Sequence, residues 1–378
     1  MKKKLFITLG VILMSVIAVA SCFYINTYKS ADVQLAFSKK EIHPKKIDHL
    51  QNEWSSAEFE QAVGLVNDNI KSTWNSSGKV WSETDFSNYQ VLILPENEDG
   101  SIQETVYLID SDRRINQVPY EEIKVFNEKS IGSPFFKPAT NKLNGIPTMT
   151  LSIEGNHFTE ENLKYEISAL PKSIKPFVYA THEQFHSFQS DWKLKDLKEM
   201  TDFDSIENKS EVKQARLEVL FYLQKAILDE KDREQNIAKA KGWWEKYKES
   251  YPDVYKGAYK SDMLEGTAQY FDLAMNVRAN TGMDAPKETL EKKYQEAIQT
   301  YYFVLNKKDL KAEGMDFLRD SYDLGAAAGI LLELLDKKDW QQEVMDKGTL
   351  PQEILFQDYH SETPQSTPAI KALAESIN

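Results

Sequence analysis

His182-Glu183-Gln184-Phe185-His186 constrains this chain more than any other stretch. Two histidines four apart share a face only if the segment is helical, where they lie about one turn from each other. On that face both imidazoles can bind one metal ion, and the glutamate between them is placed to take a proton from water. The chain has six histidines in 378 residues, and two of them fall at this spacing. The pattern points to a zinc hydrolase, with a peptide as the expected substrate. Against it stands a plainer alternative, a helix with two surface histidines beside an ordinary glutamate.

The neighbouring residues favour a buried helix. Pro171 and Pro176 lie where a helix tolerates proline, at its start. Phe177, Val178, Phe185 and Phe188 supply apolar faces, and no glycine or proline interrupts the run through Trp192. The spacing predicts a helix over 175–189. Before it, Thr148-Met149-Thr150-Leu151-Ser152-Ile153 alternates polar and apolar residues and predicts a strand.

A zinc hydrolase needs three protein ligands and one open position for water. No glycine-spaced third histidine follows the motif, and His360 sits near Pro364 and Pro368. A carboxylate is therefore expected, and two compete. Glu265 opens Glu265-Gly266-Thr267-Ala268-Gln269-Tyr270, where a mid-helix glycine costs about 1 kcal/mol in propensity and calls for a reason. Glu218, in Arg216-Leu217-Glu218, is the rival.

The string Glu265-Gly266-x-Ala268-x-Tyr270 downstream of His182-Glu183-x-x-His186 resembles the third-ligand helix of the gluzincins, above all the aminopeptidase-like ones. The longer string that adds Gln189 resembles uncharacterised bacterial, membrane-anchored or lipoprotein members of that group. The resemblance covers two short helices. It implies a zincin-like catalytic core with zinc held by His182, His186 and Glu265. It also implies small residues after Glu265 for close helix packing, and a strand bordering the cleft where an extended substrate can pair. One departure is plain: His186 and Glu265 are 79 positions apart, more than in many gluzincins. The intervening chain must return to the metal, and Glu211 to Tyr247 is predicted to do so as a helical pair. Val212, Ala215, Val219, Leu223, Ala226 and Ile227 mark its buried stripe.

In such a site Glu183 is the general base, taking the water proton and passing it to the leaving amine. Tyr270 and Tyr322 are the candidates to stabilise the oxyanion. With 18 tyrosines in the chain, ordinary packing roles compete for both. Asp272, seven residues after Glu265 on the same helical face, is placed to orient a ligand histidine.

Lys2-Lys3-Lys4 and the apolar run from Leu5 to Ile25 read as an export segment. Val19-Ala20-Ser21-Cys22 resembles a bacterial lipobox, and Cys22, the one cysteine, would carry the lipid. The same run is long enough for a single spanning helix, and Phe23-Tyr24-Ile25 is apolar for a lipoprotein. Either way the expected location is the extracytoplasmic face of a bacterial membrane. One cysteine excludes a disulfide framework. A net charge of −13 disfavours nucleic acid as a partner.

The expected fold class is α+β and mostly helical, with a small N-terminal sheet and a helical C-terminal part. The expected organisation is an anchor over 1–25, a tether over 26–55, an N-terminal α/β part over 56–170, a helical zinc-binding part over 171–360 and a flexible tail over 361–378. Tyr89 to Leu94 and Thr105 to Ile109 predict strands joined by a turn at Glu96–Gly100, and Ala57 to Trp74 predicts a helix. Leu290 to Leu305 and Met315 to Asp336 predict further helices, while Gly242-Trp243-Trp244, Pro252 and Gly282 mark helix ends or loops. Three functional readings follow: a membrane-anchored zinc peptidase, a lipoprotein that binds zinc or peptides without cutting, and an envelope protein in which the motif is coincidence.

Overall fold

The computed structural model describes residues 31–47, 56–97, 99–130, 136–137, 139–154, 170–194, 206–307 and 319–376. The export segment and Cys22 lie outside them. The architecture is α+β, and the described residues divide into two compact units.

The first unit holds a mixed sheet. Its strands are β1 (Asp32–Val33), β2 (Lys40–Ile42), β3 (Gln90–Glu96), β4 (Thr105–Ile109), β5 (Ile115–Pro119), β6 (Phe136–Lys137), β7 (Lys142–Leu143) and β8 (Ile146–Glu154). They run in the order β1-β7-β8-β3-β4-β5-β2, with β6 paired to β8. Helices α1 (Ser56–Thr73), α2 (Tyr120–Lys129) and α3 (Lys175–Gln189) belong to the same unit. β3 is central, parallel to β8 and antiparallel to β4. Its Val91-Leu92-Ile93-Leu94 run is buried throughout, as expected of a strand covered on both faces. Leu92 and Leu94 join Val106, Leu108 and Val118 in one cluster with Ile123 and Phe126 of α2. Val91 and Ile93 face the other way, and the register puts Met149, Leu151, Tyr107 and Ile109 beside them. Tyr107 meets Phe59 of α1 edge-on at 5.3 Å between ring centroids. On α3, contacts run to α1 and to β8.

The second unit is helical. It holds α4 (Lys209–Leu228), α5 (Arg233–Ser250), α7 (Lys287–Ala297), α8 (Asp320–Leu334), α9 (Trp340–Lys347), α10 (Pro351–Phe356) and α11 (Pro368–Glu375). The longest helix, α6 (Pro252–Thr281), has 30 residues, about 45 Å at 1.5 Å per residue. Proline opens it, and Gly282 at φ +99° ends it. The division of units falls within it: residues to Phe271 count with the helices, and those from Asp272 count with the sheet. The pair α4 and α5 forms as expected, with Val212, Ala215, Val219, Leu223, Ala226 and Ile227 all buried.

Several expectations change. Part of the stretch read as a tether pairs into the sheet: β2 lies antiparallel to β5, and β1 parallel to β7. The compact units also divide the chain differently from a break at residue 170, because the motif helix α3 groups with the sheet. The stretch read as a flexible tail carries α11, whose Ile370, Leu373 and Ala374 are buried and which packs against α4. Gly242 is not a helix end. It sits inside α5, where Glu362 crosses so closely that an added Cβ would lie 1.9 Å from the Glu362 carbonyl oxygen. The helix expected over 290–305 stops at Ala297 and continues as a π-helical turn over Ile298–Tyr302.

Candidate metal centre

The chain packs α3 so that the motif faces inward. Phe177, Val178, Ala180 and Phe185 are buried. Trp74 donates its indole N–H to Thr181 Oγ1 at 3.0 Å, and Trp81 meets Phe185 edge-on at 5.1 Å. These contacts set the roll of the helix. They leave His182, Glu183 and His186 buried at 7, 8 and 1 % exposure.

The two imidazoles stand nearly perpendicular, at 82°, with ring centroids 4.8 Å apart. His182 donates from Nδ1 to Asp272 Oδ2 at 2.8 Å, and His186 donates from Nδ1 to Gln189 Oε1 at 2.6 Å. Carboxylate and amide oxygens only accept, so each Nδ1 carries a proton and the two Nε2 atoms are the ones turned toward each other. Those two Nε2 atoms are 3.1 Å apart. Two imidazole nitrogens that close share either a proton or a metal cation. Two nitrogens about 2.0–2.1 Å from one tetrahedral ion are about 3.3 Å apart, close to what is seen.

The carboxylate comes from α6. His182, His186 and Glu265 each offer a ligand atom, and these atoms lie within 4.8 Å of one another. All three residues are buried, Glu265 at 1 % exposure. Asp272 follows two turns along the same helix at 2 % exposure. Three buried acidic side chains, Glu183, Glu265 and Asp272, thus accompany the two imidazoles. A divalent cation offsets that charge, so the donor set fits a metal by chemistry as well as by distance.

Two features of the helical unit position Glu265. One turn before it, Asp262 receives Arg216 through two bonds, Nη2 to Oδ1 at 2.6 Å and Nη1 to Oδ2 at 3.0 Å. Arg216 also donates from Nε to Asp320 at 2.7 Å, and Lys213 reaches the same carboxylate at 3.0 Å. All four side chains are fully buried. Burial opposes the charge on Arg216, but Asp262 and Asp320 outweigh it and hold the guanidinium well above its usual pKa. Burial likewise pushes the Asp320 carboxyl up, yet Arg216 and Lys213 bring it below the ordinary range. The second feature is Gly266, packed against Gly325 and Ser321 of α8.

Glu218 and Tyr270, two of the other candidates, are engaged by other partners. Glu218 is not a ligand: its two oxygens accept the Thr367 N–H and hydroxyl, at 2.5 and 2.8 Å, where α11 begins. Tyr270 donates to Glu333 Oε2 at 3.1 Å, as Tyr294 does at 2.8 Å, which directs its hydroxyl to that carboxylate. Tyr322 is buried in α8, its ring 4.6 Å from the Arg319 guanidinium. Sequence reasoning did not single out the buried charges of α4. Their signal was Lys213 and Arg216 interleaved with the apolar stripe instead of opposite it. Gln189 was visible only as the end of a longer string.

Comparison of the chain with protein-family models, with curated proteins and with solved structures returns no match.

Proposed function

We propose that this chain is a zinc-dependent peptidase held at the extracytoplasmic face of a bacterial membrane, on a gluzincin-like, zincin-type core. The observation that carries the reading is the pair of imidazole Nε2 atoms 3.1 Å apart, grouped with a Glu265 carboxylate oxygen within 4.8 Å. Imidazole nitrogen with one carboxylate is a donor set suited to zinc. Zinc held there supplies a Lewis acid that polarises a carbonyl and lowers the pKa of water.

The chain's own residues do the rest. His182 and His186 present nitrogen, and Glu265 presents oxygen. Glu183, next to His182 on α3, accepts a proton from water as the oxygen adds to the peptide carbonyl carbon. The C–N bond then breaks, and Glu183 returns the proton to the leaving nitrogen. Tyr322 is the proposed oxyanion donor. Attachment rests on the N-terminal segment, through Cys22 or a spanning helix; among the described residues no helix is long and apolar enough to cross a membrane.

The test uses the full chain purified in detergent. One zinc per chain is expected. His186→Ala loses it, whereas Glu183→Gln keeps it and loses cleavage of a peptide library. Full cleavage by Glu183→Gln sinks the mechanism. A zinc-loaded wild type that cuts nothing in the library favours a binding lipoprotein on the same scaffold.

A further inference from the structure

The two imidazoles are backed by unlike acceptors. Behind His182 stands a carboxylate, Asp272, from a helix 90 positions along the chain. Behind His186 stands the neutral amide of Gln189, three residues on in the same helix and buried at 2 % exposure. Both acceptors hold a proton on Nδ1 and so fix which edge of each ring turns toward the other imidazole. Their effect on the ring differs. An anionic acceptor draws the Nδ1 proton toward itself and makes Nε2 more basic; an amide oxygen polarises the ring less. The His186 half of the site also needs no partner helix for its alignment, because imidazole and amide are one turn apart on α3.

We propose that Gln189 is a positioning residue of the metal centre. It aligns His186 from within its own helix and, being neutral, makes His186 the weaker of the two nitrogen donors. The affinity of the centre for zinc is thereby set below that of a site with two carboxylate-backed histidines. This inference rests on the metal-binding reading above.

The test is the zinc affinity of the full chain in detergent, measured at neutral pH by competition with a chromophoric chelator. Wild type, Gln189→Leu and Gln189→Glu are compared, with thermal melts of the metal-free forms alongside. Gln189→Leu should bind zinc about 10–100-fold more weakly. Gln189→Glu, which keeps an acceptor and adds charge, should bind severalfold more tightly than wild type. Should Gln189→Leu fail to fold, the order of Gln189→Glu and wild type decides. Equal affinity in the variants and wild type, or weaker binding by Gln189→Glu, overturns the role given to Gln189 and leaves the metal site standing. A wild type that binds no zinc overturns the metal reading and this inference with it. Changed melts with unchanged affinity mark Gln189 as structural only and also overturn the proposal.

Discussion

Gly266 and Gly325 approach so closely that a Cβ added to Gly266 would lie 2.7 Å from the Gly325 Cα and 2.9 Å from the Ser321 carbonyl oxygen. Backbone meets backbone here, so no side chain can yield. This is the reason for a glycine directly after Glu265 in the middle of α6. An alanine normally gains about 1 kcal/mol over glycine inside a helix. At this crossing the overlap outweighs that gain. Gly266→Ala should destabilise the chain by about 1–3 kcal/mol, read as a lower urea midpoint. A midpoint at or above wild type would show that the two helices part without cost.

Removing Arg216 strands its partners. Arg216→Met leaves Asp262 without the guanidinium that grips both its oxygens, and leaves Asp320 with Lys213 alone. Breaking one side of a buried ion network costs about 3–5 kcal/mol. Arg216→Lys should also be costly, because an ammonium cannot reproduce the fork that meets both oxygens of Asp262. Unfolding curves for the two variants check this, and a lysine variant as stable as wild type refutes it.

The junction of α4 and α11 should give stability a pH dependence. Burial raises the Glu218 carboxyl above its ordinary 4.5, and the Thr367 N–H and hydroxyl bring it only part of the way back. The folded chain therefore holds this proton to higher pH than the unfolded chain does. The resulting stabilisation is complete below the ordinary value and is lost as pH rises through the raised one. Glu218→Gln has no such proton to lose. Its stability relative to wild type should rise as pH climbs from the ordinary carboxylate value of 4.5 through the raised one, measured by urea unfolding. A constant difference across that range contradicts the argument.

Metal removal should be visible in a melt. A ligand that binds only the folded chain adds about 2.7 kcal/mol of stability at a hundred times its Kd. Zinc-loaded chain should melt higher than chain stripped with a chelator, and His186→Ala should melt at one temperature with or without added zinc. Identical melts for loaded and stripped wild type would count against a metal that binds the native state.

Much of the fold was legible where pattern and length agreed. The helix over 175–189 matches the expected bounds, because two prolines mark its start and apolar residues surround the motif. β3, β4 and β8 were legible from apolar runs and alternation. β5 was not, since Asn116, Gln117 and Pro119 are weak strand formers whose pairing comes from β4 and β2. β1, β2, β6 and β7 have two or three residues each, too few to carry a period. Gly242 looked like a break because close approach of distant chain, here Glu362, leaves no local trace.

The candidate metal ligands were partly legible. Spacing ties His182 to His186 directly. Nothing in spacing ties them to Glu265, 79 positions from His186, and the glycine after Glu265 was the physical hint. The hint about Asp272 was periodicity: seven residues return to the same helical face, and its carboxylate does meet His182. Glu218 was the weaker rival, with no glycine after it to explain, and its engagement by Thr367 comes from a segment 149 positions away.

The docking of α11 has a practical consequence for handling this chain. Ile370, Leu373 and Ala374 cover part of α4, and Thr367 satisfies the carboxylate of Glu218. A protease that clips ahead of Thr367 would uncover greasy surface and leave an acid stranded. The clipped product should clump in solution, and its yield on a sizing column is the simplest warning that the last turns have been lost.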